Sequence, residues 1–140
     1  MAAFEYRQAQ EIRDAFERHG CRYLFIGKSG AILLGFPDTT QDADLFVERS
    51  AENGRNVVAA LKGLGFRLTD AQAGIERFSD AWLRHINVEG FPVCHPDDII
   101  ASKEAANRSK DRESLPRLRS FRDYWLRNQQ SGRDRGMNSR

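Results

Sequence analysis

The stretch at residues 25–47, "FIGKSGAILLGFPDTTQDADLFV", decides how this chain folds and holds most of its chemistry. It grows out of "CRYLFIG", a short aromatic and aliphatic run that ends in glycine, as a buried strand does. "SGAILLG" then reads as a short helix, started at or near Ser29 and ended by Gly35 and Pro37. "DADLFVE" alternates Asp42, Asp44 and Phe46 with Ala43, Leu45 and Val47. That period of two predicts a strand with one apolar side on the core and its acids together on the other side.

The flanking sequence extends this strand–helix–strand unit. Between residues 3 and 19, Phe4, Ala9, Ile12, Ala15 and Phe16 recur at helical spacing and Gly20 supplies the stop. Ser50 caps a helix carrying "NVVAALKGLG", and "FRLTD" returns as a strand. "GIERFSDAWLRHINVEGFPVCHP" reads as β-rich with a turn at Glu89-Gly90. Pro96, at a first helical position, opens "DDIIASKEAANR". A last helix is expected over residues 111–126, burying Leu115, Leu118, Phe121, Tyr124 and Trp125. There is no internal repeat. The order of elements predicts an α/β (α+β) domain, a small mixed sheet flanked by helices with further helices at the C-terminal end.

A chain of 140 residues suits one domain, taken as residues 1–127, and residues 128–140 lack apolar periodicity and read as a disordered basic tail. No apolar run approaches the length of a membrane span and the N-terminus is charged throughout, so a cytoplasmic protein without membrane association is expected. Two cysteines are too few for a disulfide framework. His19, Cys21, Cys94 and His95 make a poor zinc set, because adjacent Cys94 and His95 at a strand end would point to opposite faces. The net charge of +2 is uneven, since residues 108–140 hold ten Lys/Arg against four Asp/Glu. An anionic partner would be drawn to that end, although a solvated helix face carries the same charges.

"GKS" invites comparison with a Walker A loop, but the glycine such a loop requires falls on Arg22, and the residues between are strand. Gly27, Lys28, Ser29 and Gly30 at a strand-to-helix turn suit either a phosphate or an ordinary turn with a capping serine. Asp42 and Asp44 narrow the choice. On a strand, residues i and i+2 share a face with Cα atoms roughly 6.5 to 7 Å apart, so two carboxylates can share a divalent cation. Acids beside a phosphate-binding turn are the minimum for phosphoryl or nucleotidyl transfer, while a solvated strand edge carries the same alternation.

Together, "FIGKSGAILLG" and "TTQDADLFV" resemble the signature of the polymerase-β-like nucleotidyltransferases, particularly the minimal bacterial members. "DDIIASKEAANRSKD" resembles the downstream motif of the abortive-infection type, so the likeness covers roughly residues 20–120. The resemblance implies a nucleotidyltransferase-like fold that binds a nucleoside triphosphate with Mg²⁺ or Mn²⁺ and transfers a nucleotide to an RNA or protein acceptor, in a toxin/antitoxin or related setting. It implies metal ligation by Asp42 and Asp44, with Asp70 as the third acid available, and phosphate contacts from Gly27, Lys28 and Ser29. Lys103, Lys110 and Arg108 are carried over as the basic side of the site, and Asp111 as the residue that orients Lys110 or acts as a base on the acceptor. The sequence departs from the pattern at Lys28, Asp38, Arg67 and Ser114. Those departures motivate a second expectation, a non-catalytic member of the fold acting as a partner protein or homo-oligomer. A third is a nucleic-acid-binding module led by Arg117, Arg119 and Arg122.

Overall fold

A computed structural model describes residues 5–40, 43–62, 64 and 77–138, with side chains placed through residue 129. It is a mixed α+β structure built on a four-stranded sheet of order β2-β1-β4-β3. The strands are β1 (Tyr23–Ile26), β2 (Asp44–Val47), β3 (Ile86–Val88) and β4 (Phe91–Val93). β1 pairs antiparallel with β2, placing Ile26 opposite Asp44, and parallel with β4 through Phe25 and Val93.

The helices are α1 (Tyr6–Arg18), α2 (Gly27–Leu33), α3 (Ala51–Leu61), α4 (Phe78–Arg84), α5 (Pro96–Ala106) and α6 (Ser109–Asn138). β1 is buried on both faces, and its alternation sends side chains into two cores. Tyr23 and Phe25 join Ile12, Phe16 and Phe91 of α1 and β4, with Val57 of α3. Leu24 and Ile26 join Phe46, Phe78, Ile99, Leu115 and Leu118 on the opposite face. β2 is an edge strand, but its acid-bearing face is covered at Phe46, which is buried and meets the Phe78 ring edge-on at 5.4 Å.

Local signals explain most boundaries. Ser50 caps α3 by accepting a hydrogen bond from the Asn53 amide, and His95 caps α5, which Pro96 opens. The Glu89-Gly90 turn has positive φ at both residues, 51° and 88°, the backbone of a tight hairpin. α2 starts two residues earlier than expected. Ser29 lies inside the helix rather than capping it, and the turn is made by Gly27 at φ 65°.

Three expectations need correction. Residues 78–84 are helical rather than β-structured, because Phe78, Ala81 and Trp82 stand at i, i+3 and i+4 and one stripe can seal the second core. Tyr124 is 56% exposed, whereas Leu115 and Leu118 are buried. At 3.6 residues per turn the stripe from Leu118 returns at Trp125, which lies edge-on to His95, and turns Tyr124 outward. α6 also runs from Ser109 to Asn138, longer than the helix expected over residues 111–126. The strand expected at "FRLTD" lies outside the described residues. Among the described residues no helix is long and apolar enough to cross a membrane.

Candidate functional site at the β1–α2 turn

The turn from β1 into α2 lies against the first residue of β2. Gly27 faces Asp44 so closely that a Cβ at residue 27 would fall 2.3 Å from Asp44 Oδ2 and 3.1 Å from Asp44 Cβ. Positive φ and this contact both demand glycine. Ser29 is fully buried, and its hydroxyl donates to the Ile26 carbonyl at 3.0 Å while accepting from the Asp44 amide at 3.0 Å. It therefore staples α2 to both strands and fixes where Asp44 sits. Gly30 completes the approach, since a Cβ there would meet the Phe25 carbonyl at 2.9 Å.

Lys28 extends to the other side of the turn, where its Nζ lies 3.4 Å from Asp38 Oδ2. The same oxygen is 3.4 Å from Arg117 Nη1. The Thr39 amide, then Lys28 and Arg117, hold the Asp38 carboxyl below its ordinary pKa. Asp38 is thus a clasp between two cations.

A second group is made where α5 ends and α6 begins. Asn107 takes the left-handed conformation that ends α5, and the chain turns so that Asp111 faces back towards Lys103. Asp111 is completely buried; it accepts from Arg108 Nε at 2.7 Å, from the Arg108 amide at 3.2 Å and from Lys103 Nζ at 3.3 Å. Burial alone would raise its pKa, but the Arg108 hydrogen bond and the Lys103 charge outweigh that and lower it. Arg108 is held more firmly protonated, chiefly by its bond to Asp111 and additionally by the Asp44 carboxylate. That last influence puts the corner within electrostatic reach of Asp44.

Of the residues singled out by sequence, Gly27, Ser29 and Asp44 come together at the turn, and Lys103, Arg108 and Asp111 come together at the α5–α6 corner. Lys110 is exposed, and the partners of Asp111 are Lys103 and Arg108 rather than Lys110. Asp42 and Asp70 lie outside the described residues. Among the described residues no three His, Cys, Asp or Glu side chains form a metal-holding group. Asp44 nonetheless offers the hard oxygen that Mg²⁺ takes, and Mg²⁺ is commonly held by one or two carboxylates together with substrate phosphates. Of the other imagined ligands, Cys94 is buried in the second core with its thiol pKa pushed up by burial, and His95 caps α5.

Sequence reasoning missed Asn53. It is 4% exposed, accepts from the Arg22 amide at 2.7 Å and donates to the carbonyls of Arg22 and Glu48 at 3.1 and 2.8 Å, tying α3 to the outer ends of β1 and β2. Its only signal was the position three residues after the Ser50 cap. Comparison of the chain with protein-family models, with curated proteins and with solved structures finds no match.

Proposed function

We propose that the β1–α2 turn, Asp44 and the Lys103–Arg108–Asp111 corner form the site of a nucleotidyltransferase-like protein, which binds a nucleoside triphosphate with Mg²⁺ and transfers its nucleotidyl group to a hydroxyl of an RNA or protein acceptor, with pyrophosphate leaving. The observation that carries this reading is the Asp44 carboxylate laid against the backbone of Gly27, with the charged Arg108 guanidinium within its field. A carboxylate this close to a glycine turn sets the acid beside the backbone that would meet a phosphate. Mg²⁺ bound at Asp44, with Asp42 as the neighbouring ligand expected from sequence, would neutralise phosphate charge and favour ionisation of the acceptor hydroxyl.

The residues of the chain divide the remaining work. Arg108 has a half-exposed side chain and a permanent charge, so it can reach phosphate oxygens while Asp111 holds its Nε. Lys103 is buried against Asp111 and acts by fixing the corner rather than by touching substrate. Asp111 is buried and its carboxylate oxygens already accept from Arg108 and Lys103, which favours holding the corner over taking a proton from an acceptor. We therefore read Asp111 as a positioning residue rather than as the base that the resemblance implies.

That same observation favours one other reading. With Asp111 consumed by its own ion pairs, the fold could serve as a non-catalytic binding partner that keeps Asp44 and the turn. Incubating the protein with each α-labelled nucleoside triphosphate, Mg²⁺, total RNA and cell protein separates the two. The enzyme reading expects label to move to a macromolecule and Asp44→Asn to stop it. Transfer unchanged in Asp44→Asn would remove this site from the reaction, and no transfer with any nucleotide would favour the partner reading.

A further inference from the structure

The loop after α2 and the outer side of α6 enclose a groove of about 600 Å³, lined among others by Phe36, Pro37, Pro116, Arg117, Phe121 and Tyr124. That volume falls inside the roughly 300 to 1,000 Å³ of sites that hold small ligands. Its floor is aromatic. The Gly35 turn directs the buried Phe36 inward, where it meets Phe121 edge-on at 5.5 Å. Tyr124 forms the rim with more than half of its surface open.

Arg117 gives the groove its charge. The guanidinium lies 5.1 Å from the centre of the Phe36 ring, donates to the Pro37 carbonyl at 3.0 Å and keeps a side chain 56% exposed. Arg117, Ser120, Tyr124 and Arg127 fall at i, i+3, i+7 and i+10, one stripe of α6 on which cations flank an aromatic ring. The groove is joined to the candidate site by one chain of charges. Arg117 and Lys28 share Asp38, and Lys28 adjoins Gly27, whose backbone lies on Asp44.

An apolar peptide would make no use of the paired cations, and a nucleic-acid duplex keeps its bases stacked away from the rings. An unpaired base with its phosphate uses both. We propose that the groove seats the acceptor of the reaction as single-stranded RNA: one base stacks on Tyr124 over the Phe36–Phe121 floor, Arg117 and Arg127 contact the adjoining phosphates, and the strand continues past Lys28 towards Asp44. The acceptor role rests on the reading of Asp44 given above, whereas the stacking site can be tested without it.

The test is fluorescence anisotropy of a labelled ten-nucleotide single-stranded RNA titrated with the full chain, without nucleoside triphosphate or Mg²⁺. Stacking on an aromatic side chain contributes enough that Tyr124→Ala should weaken binding on the order of tenfold, whereas Tyr124→Phe, which keeps the ring, should bind like the wild type. Arg117→Gln should weaken binding and lower the salt slope by about one. Tyr124 is exposed, so the alanine variant should keep the thermal midpoint of the wild type and any loss of binding is local. An unchanged Kd in Tyr124→Ala overturns the proposal. So does equally tight binding of the duplex, of a nucleoside monophosphate or of a poly-glutamate peptide; these would point respectively to backbone charge, to a free nucleotide and to an acidic protein partner.

Discussion

Replacing Gly27 by alanine tests whether the turn and Asp44 are physically joined. Two costs arise. Residue 27 sits at φ 65°, a left-handed conformation that costs an L-residue about 1–2 kcal/mol. The new methyl would also fall 2.3 Å from Asp44 Oδ2, 3.0 Å from Cγ and 3.1 Å from Cβ. Because Cβ is itself too near, rotating the carboxylate relieves only part of the overlap, and β2 or the turn must shift at a typical overpacking cost of about 1–3 kcal/mol. The sum is about 2–5 kcal/mol. In an Asp44→Ala background the two nearest atoms are gone and only the 3.1 Å approach to Cβ remains, so the cost should fall while staying above the backbone term. The coupling between the two substitutions should then be at least about 1 kcal/mol, within the range for residues in contact. Urea unfolding of the wild type, both single variants and the double variant gives the cycle directly. The same cost for Gly27→Ala in both backgrounds would refute the packing on which the site is built.

Three other expectations follow from buried polar groups. Asp111→Asn leaves Lys103 charged and buried, so it should cost about 3–5 kcal/mol at neutral pH, and adding Lys103→Met should recover much of this in denaturant unfolding. The folded pKa of Asp111 is depressed, so its contribution is full above the ordinary carboxylate range and is lost as the pH falls through the folded value. The stability gap between wild type and Asp111→Asn should therefore narrow on acidification below about pH 4, and a gap that widens would contradict the ion-pair account. Asn53→Ala strands the Arg22 amide and two carbonyls and should cost about 2–3 kcal/mol by the same measurement, a loss below 0.5 kcal/mol being incompatible with it. Tyr23 is buried with a hydroxyl that has no hydrogen-bond partner among the described residues, so Tyr23→Phe should raise the thermal midpoint, by roughly 4 °C if removing the hydroxyl is worth about 1 kcal/mol. A lower midpoint would mean that the hydroxyl is satisfied.

What the sequence made legible was whatever local periodicity and punctuation determine. The Ser50 and Pro96 helix starts, the Glu89-Gly90 turn and the strands at Tyr23–Ile26 and Asp44–Val47 all come from residues whose neighbours in sequence decide their backbone. Residues 78–84 are ambiguous in sequence because "FSDAWLR" suits a strand or one short helical stripe, and the choice depends on Phe46 and Arg22 across the sheet. Tyr124 has core spacing in the sequence, but its exposure depends on where the domain beneath α6 ends.

The site divides in the same way. Gly27, Ser29 and Asp44 were found from spacing, yet the burial of Ser29 between two backbones is a tertiary fact. The pairing of Asp111 with Lys103 crosses the α5–α6 corner, which Asn107 creates by leaving the helix in a left-handed turn. Nothing in "ANRSKD" distinguishes that partner from Lys110, the adjacent lysine expected in its place. The groove beneath Tyr124 has no sequence signature at all, because its walls come from residues about eighty positions apart.

The measurement that bears most directly on the central claim is thermal unfolding of the wild type and Asp44→Asn with each of the four nucleoside triphosphates, with and without Mg²⁺. A ligand at a hundred times its Kd stabilises a protein by about 2.7 kcal/mol, several degrees for a domain of this size. The account predicts that at least one nucleotide raises the midpoint only when Mg²⁺ is present, and that Asp44→Asn abolishes the shift. No shift with any nucleotide, or a shift of equal size in Asp44→Asn, would contradict it.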